Sequence, residues 1–423
     1  MRIWLAGVLA AAVLVALPSA TRGGAPWQSG QQPVFRAGVD VVRVDVEVVD
    51  GQGSPVETLG PDKFTVTIDG RRRRVVTADL VRHGQAALAG EASPARIPPP
   101  DAATDPGSSR IVMLAIDVFS FTVDASAAVV KAAKGFVAQL DDDDYIGLYT
   151  FPVGTRIAAT RDHAAVSRRL DTVTGQESSI RSAYNLNISE IIDIVAEETA
   201  AGARGGLSAD MAVTRRVMAR ECPTATDLQC MEGIQTEAQA LSFYLETRIN
   251  QGVSGLRSLV QLLGDVPGRK TVVVLSGGMP VSDRLGGRPD IGEVARLLGQ
   301  DAARTNTVIY SVYVDSAYVR PFSADRRRYD NKSQTPARDN AMMGRLLDAF
   351  AGSSGGTMLS VVLGGGEQAF TRILRETSAH YLLGVEPQEA DRDGRLRRLN
   401  VKVDHPNTTV RSRQWVVVPK RGS

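Results

Sequence analysis

Cysteine and histidine are scarce in this chain, two and four among 423 residues. So few cysteines exclude a disulfide-dense scaffold, and so few histidines argue against a protein built around several zinc ions. A surplus of either charge is missing too. Lys and Arg number 49 against 47 Asp and Glu, a formal net charge of +2. That balance argues against a protein that coats nucleic acid, where affinity comes largely from phosphate neutralisation. Beyond the N-terminus no apolar stretch approaches the roughly 20 residues of a membrane span. What is present is ordinary globular composition, 43% hydrophobic and 23% charged residues, which excludes wholesale disorder. The length accommodates two to three domains at about 100–200 residues each.

The N-terminus reads Met1-Arg2, an apolar stretch from Ile3 to Leu17, then Pro18-Ser19-Ala20. A short basic start, an apolar core too short to span with ease and a small-residue exit predict a secretory signal peptide over residues 1–20. Cleavage is expected after Ala20 or within the following ten residues. The mature chain is then exported, to the periplasm or beyond the cell, without a transmembrane span. Export gives Cys222 and Cys230 a meaning, because an oxidising compartment permits a disulfide between them. Metal ligation is the alternative, but no histidine lies near and the spacing is not that of a zinc knuckle.

Residues 34–90 predict a small β-sandwich-like module. Val39, Val41, Val44, Val46 and Val48 are strand formers, and Phe64–Ile68 alternates into the Asp69-Gly70 turn of a tight hairpin. Residues 91–109 are rich in Ala, Pro, Asp and Ser, a stiff solvated linker. From Arg110 the pattern changes to continuous apolar runs separated by helical periodicity. Ile111–Ile116, Tyr145–Phe151, Thr271–Leu275, Val308–Val314 and Tyr381–Val385 read as strands buried on both faces. Strands alternating with helices predict an α/β fold with a doubly wound, mostly parallel sheet over residues 110–385. Residues 174–233 interrupt that alternation as a helical insertion carrying both cysteines. Residues 386–423 form a β-hairpin tail, expected to pack on the N-terminal module.

The order from strand to Asp117, helix, Asp144–Phe151, long helix, Gly268–Gly278 and Tyr381–Val385 resembles a von Willebrand factor A domain. The mature chain as a whole resembles the exported VWFA-related group often called acidobacterial. The Val-rich first strand, Leu59…Phe64…Asp69-Gly70, the Pro-rich linker and the tail at Gly394–Val403 carry that resemblance. It implies a metal-ion-dependent adhesion site at the C-terminal edge of the sheet, with Asp-x-Ser-x-Ser after the first strand and an Asp after a later one. This sequence departs from that pattern. The first motif reads Asp117-Val-Phe119-Ser-Phe121, and the later Asp position is Gly277. Asp117 remains, with Ser120, Asp124 and Ser276 as oxygen donors from shifted positions. One carboxylate is a weak hold on Mg²⁺, which favours an octahedral oxygen set. The expectation is a degenerate site with no resident cofactor; a Mg²⁺- or Mn²⁺-dependent adhesin around Asp117 is the alternative.

Other motifs are weaker. Leu363–Ala369 matches the outline of a dinucleotide fingerprint, but a turn into a last helix explains its glycines equally well. Gly352–Gly356 matches G-x-S-x-G with helix and strand in the wrong order for a nucleophile elbow. Asp141–Asp144 reads as a solvated loop and Arg71–Arg74 as the exposed start of a hairpin strand. The histidines are scattered among separate elements. No convergent acid, base and nucleophile set is legible, so a hydrolase is disfavoured. The expected function is a non-enzymatic protein-binding or adhesion module with a protein partner and no nucleic acid. Its binding loops would carry Phe119, Phe121, Gly277 and Asp283.

Overall fold

The computed structural model describes residues 41–83, 109–177, 182–203, 211–224, 226–284, 287–290, 292–315 and 336–420. The N-terminal apolar stretch, its cleavage point and residues 91–108 of the linker lie outside them.

Two sheets organise the described chain. In the first, β4 (Ile111–Asp117) pairs in parallel with β5 (Tyr145–Phe151) on one side and β7 (Lys270–Ser276) on the other. Beyond β7 lie β8 (Thr307–Asp315) and β9 (Met358–Val362), also parallel. An antiparallel edge strand, β6 (Arg156–Thr160), pairs with β5. Every residue of β4 is buried, because alternate side chains enter two different cores. Val112, Leu114 and Ile116 meet α1 (Val123–Val137), α2 (His163–Leu170) and α8 (Glu367–Glu376). Met113 and Ala115 meet α5 (Leu228–Leu262), α6 (Gly292–Arg304) and α7 (Pro336–Ser354). A strand covered on both faces has no use for alternation, which explains its continuous apolar run.

The second sheet is antiparallel, in the order β12-β1-β10-β3-β2-β11-β13. It draws β1 (Val42–Val49), β2 (Phe64–Ile68) and β3 (Arg71–Arg82) from the start of the chain. The end supplies β10 (Ala379–Glu386), β11 (Leu396–Val403), β12 (Thr409–Ser412) and β13 (Trp415–Val417). Here the strands do alternate. Val44, Val46, Phe64, Val66, Tyr381, Leu383 and Val416 share one apolar cluster that also takes in Val410 from the opposite edge, so the sheet curls around its own core.

Two readings of the sequence are corrected by this topology. Tyr381–Val385 does not join the parallel sheet; β10 lies between β1 and β3, with Val44 opposite Leu383 and Leu80 opposite Tyr381. Its apolar run hides a period of two, with Tyr381, Leu383 and Val385 facing the core, and short apolar runs do not reveal which kind of sheet they enter. The tail is not a simple hairpin either. β12 pairs with β1, while β13 returns to β11, which pairs with β2.

Between β6 and β7 stand α3 (Ile188–Ala203), α4 (Ala212–Glu221) and the first half of α5. The insertion does not end at residue 233, because α5 runs unbroken from it into the parallel-sheet core. Cys222 at the end of α4 is disulfide-bonded to Cys230 in the first turn of α5. Asp227 caps that turn, accepting the Cys230 amide at 3.0 Å. Three buried acids on one face of α3 fix the insertion in place. Glu190 pairs with Arg220 of α4 at 2.7 Å, and Asp193 with Arg338 of α7 at 2.5 Å. Glu197 accepts the Val213 amide at 2.7 Å and so caps α4.

Polar groups that read as surface features in the sequence prove to be buried partners. Asp144 accepts the Arg110 main-chain amide at 3.0 Å and its guanidinium Nε at 2.9 Å. Arg73 forms a two-pronged pair with Asp391 at 2.6 and 2.7 Å. His83 and His380 are brought together by the pairing of β3 with β10, their rings stacked and their nitrogens 3.2 Å apart.

Candidate functional site at the sheet edge

The chain leaves β4 toward β5 on one side, while β7 lies on the other. The C-terminal end of β4 is therefore a point where strand order reverses, the usual place for a ligand crevice in open α/β sheets. Asp117 ends β4 and Ser276 ends β7. A single turn, Val118–Ser120, follows Asp117, and Thr122 then caps α1 by accepting the Ala125 amide at 3.2 Å.

Asp117, Ser120 and Ser276 are brought together. The Ser276 hydroxyl donates to Asp117 Oδ2 at 2.9 Å and accepts the Gly278 amide at 3.1 Å. The Ser120 hydroxyl donates to the Asp117 carbonyl at 2.8 Å and accepts the Gly277 amide at 2.8 Å. Asp117 is only 4% exposed. Burial pushes its carboxyl up to about 6, against the opposing pull of the Ser276 hydroxyl, the Arg248 charge and the Phe119 amide. Asp124 does not join the group: it sits exposed in the first turn of α1, and among the described residues nothing links it to Asp117.

The oxygen set does not fit a divalent cation. It offers one carboxylate, and both hydroxyls already donate to Asp117 and accept backbone amides. Gly277 shows why the missing carboxylate has no place here. A Cβ on it would stand 2.5 Å from the Ser120 carbonyl oxygen, so no side chain is tolerated. Among the described residues no group of three His, Cys, Asp or Glu side chains is arranged to hold a metal.

The expected binding loops are corrected in the same way. Phe121 is 1% exposed and belongs to the core beneath the sheet. Residues 277–282 are buried, and the Met279 amide donates to the Met343 carbonyl of α7 at 2.9 Å. Asp283 is held by Arg338 at 2.8 Å, which keeps its carboxyl below the ordinary range. Phe119, like Asp283, is half-buried; it packs against the core beneath the sheet and meets a residue that sequence reasoning missed. The guanidinium of Arg248 on α5 lies 5.9 Å from the Phe119 ring centroid and 5.7 Å from that of Tyr244. The Tyr244–Arg248 spacing of four on a helix is a readable signal; their approach to Phe119 is a product of the fold.

No family model and no curated protein matches this sequence. Among solved structures it is similar to an aerotolerance-related membrane protein from Bacteroides fragilis, at 11% identity over 63% of this chain and 98% of that one, with a TM-score of 0.29. BatB from Bacteroides thetaiotaomicron is similar at 12% identity over 64% and 98%, with a TM-score of 0.31. Likeness of this degree assigns neither family nor function.

Proposed function

We propose that this chain is an exported, non-enzymatic protein-binding module built on a von Willebrand A-like unit with a degenerate adhesion site. The observation that carries this reading is the helical insertion mounted beside the switch point of the parallel sheet. It is tied by the Cys222–Cys230 disulfide and by the ion pairs of α3, and it leaves Phe243 of α5 73% exposed. A large exposed aromatic on a braced support is the kind of residue that anchors protein interfaces. The disulfide supports residence in an oxidising compartment. The closed hydroxyl–carboxylate cluster supports recognition without a metal.

The test is affinity capture from an envelope fraction of the producing cell, with and without chelator. A partner retained in both conditions is the expected result. A partner lost on chelation would favour the metal-dependent alternative, and a bait that captures nothing would overturn the proposal.

A further inference from the structure

We infer that the outward face of β3, β2 and β11 is a binding surface for an anionic polysaccharide. It lies on the antiparallel sheet, apart from the candidate site, and does not depend on the protein-binding reading. Alternation along the strands builds it. Phe64, Val66, Ile68, Leu399 and Val401 are buried. Thr65 and Thr67 of β2 and Arg398, Asn400 and Lys402 of β11 are thereby turned to the opposite face. Thr67 lies opposite Arg72 on one side and Asn400 on the other, and Thr65 lies opposite Lys402. Arg74, two residues beyond Arg72, shares that face. The result is two rows of exposed cations, Arg72 with Arg74 and Arg398 with Lys402. They stand about 10 Å apart, two strand spacings, with the threonines between them.

The same alternation decides which arginines are neutralised. Arg73 turns inward to Asp391 at 2.6 Å, and Arg397 bonds Asp69 and Asp393 at 2.7 and 3.0 Å. Among the described residues the side chains of Arg72, Arg398 and Lys402 bond no carboxylate. Arg74 has Glu386 at 3.8 Å, with both side chains well exposed. The other bordering acids stand at the margins, Asp62 and Asp404 beside Lys63 and Asp79 farther along β3. The near-zero charge of the whole chain therefore hides a local surplus, which suits an extended polyanion. The large exposed apolar side chains of the described residues all lie elsewhere. The face thus lacks the anchor of a protein interface and the apolar side that enters a bilayer. Trp415, opposite Arg398 on the edge strand, is half-buried, and a single ring makes no stacking platform for successive bases. The threonine hydroxyls and the Asn400 amide offer donors and acceptors to sugar hydroxyls between the charged groups.

The experiment is biolayer interferometry of the full chain on immobilised polygalacturonate, with neutral dextran as the control. The expected result is saturable binding to polygalacturonate and none to dextran. Binding should be at least tenfold weaker at about 300 mM NaCl than at about 50 mM, because each neutralised anion releases a counterion. Arg72→Gln combined with Arg398→Gln should lose at least tenfold while melting at the wild-type temperature. Arg72→Lys combined with Arg398→Lys keeps both charges and should keep most of the binding. Lys131→Gln combined with Arg345→Gln removes two exposed charges on α1 and α7 and should bind as wild type does. Equal binding to dextran, unchanged binding by the Arg72 and Arg398 glutamine pair, an equal loss in the Lys131 and Arg345 pair, or no binding at low salt would each overturn the inference. Tighter binding to phosphatidylglycerol vesicles would overturn it by making this a membrane-facing surface, and tighter binding to duplex DNA would do so as well.

Discussion

Two of the places where this protein buries carboxylates differ in the company they keep. Where the antiparallel sheet meets the α/β layers, acids face cations. Glu47 of β1, 1% exposed, pairs with Arg269 and accepts the Tyr310 hydroxyl at 2.7 Å. Glu376 of α8 pairs with Arg411 of β12 and with Arg372. Burial by itself would raise Asp45, but the His380 hydrogen bond and the charges of Arg269 and Arg413 hold its carboxyl well below the ordinary range. At the end of β4 the balance is reversed. Asp117 has hydroxyls and amides around it, and burial wins. A buried acid with a cation joins two parts of a fold; one with only hydroxyls organises its own loop and stays poorly compensated.

The largest expected effect tests the first half of that contrast. Glu47→Ala leaves Arg269 and the buried Tyr310 hydroxyl without their acceptor, and should cost about 3–5 kcal/mol in denaturant unfolding. A loss under about 1 kcal/mol would remove the contrast. Next comes pH, where the two aspartates have opposite signs. Asp45 is depressed, so its stabilisation is present above the unfolded value of 3.8 and is lost as pH falls. Asp117 is raised from 3.8 to about 6, so the native state binds the extra proton and stability falls as pH rises through that window. Asp117→Asn should therefore stabilise the protein by about 1–3 kcal/mol at pH 8, with no gain below pH 3.8. Melting curves of the two proteins across pH check this; a destabilised variant at pH 8 would show that the carboxylate has a partner worth more than its burial cost. The smallest effect is a null one. Millimolar Mg²⁺ or Mn²⁺ should move the melting temperature by less than about 1 °C, since a ligand stabilises only what it binds. A rise abolished by Asp117→Ala would restore the metal-dependent reading.

Legibility followed the range of the interaction. The strands of the parallel sheet announce themselves as apolar runs, and Asp117, Ser120 and Ser276 come together where the resemblance to a von Willebrand factor A domain implied. Asp124 was misplaced because one further turn carries it onto α1 and into solvent. The reason for Gly277 is a carbonyl of another loop, and Asp144, Arg73 and His380 find their partners through strand pairing or chain ends far apart in sequence. The four-residue spacing of Tyr244 and Arg248 is written in the helix, but their approach to Phe119 comes from the fold.

The sequence by itself determined the alternation of strands and helices, the apolar core of the parallel sheet and the pair of cysteines. Each is written in local periodicity or in residue type, where burial on one or two faces leaves a direct trace. Only tertiary structure decided that β10 leaves the parallel sheet, that β12 and β13 part to opposite edges of the antiparallel one, and that Asp117 is buried against Ser276 and the Phe119 amide. Those outcomes depend on which surfaces meet. Packing and charge compensation between distant segments set them, and no local pattern encodes either.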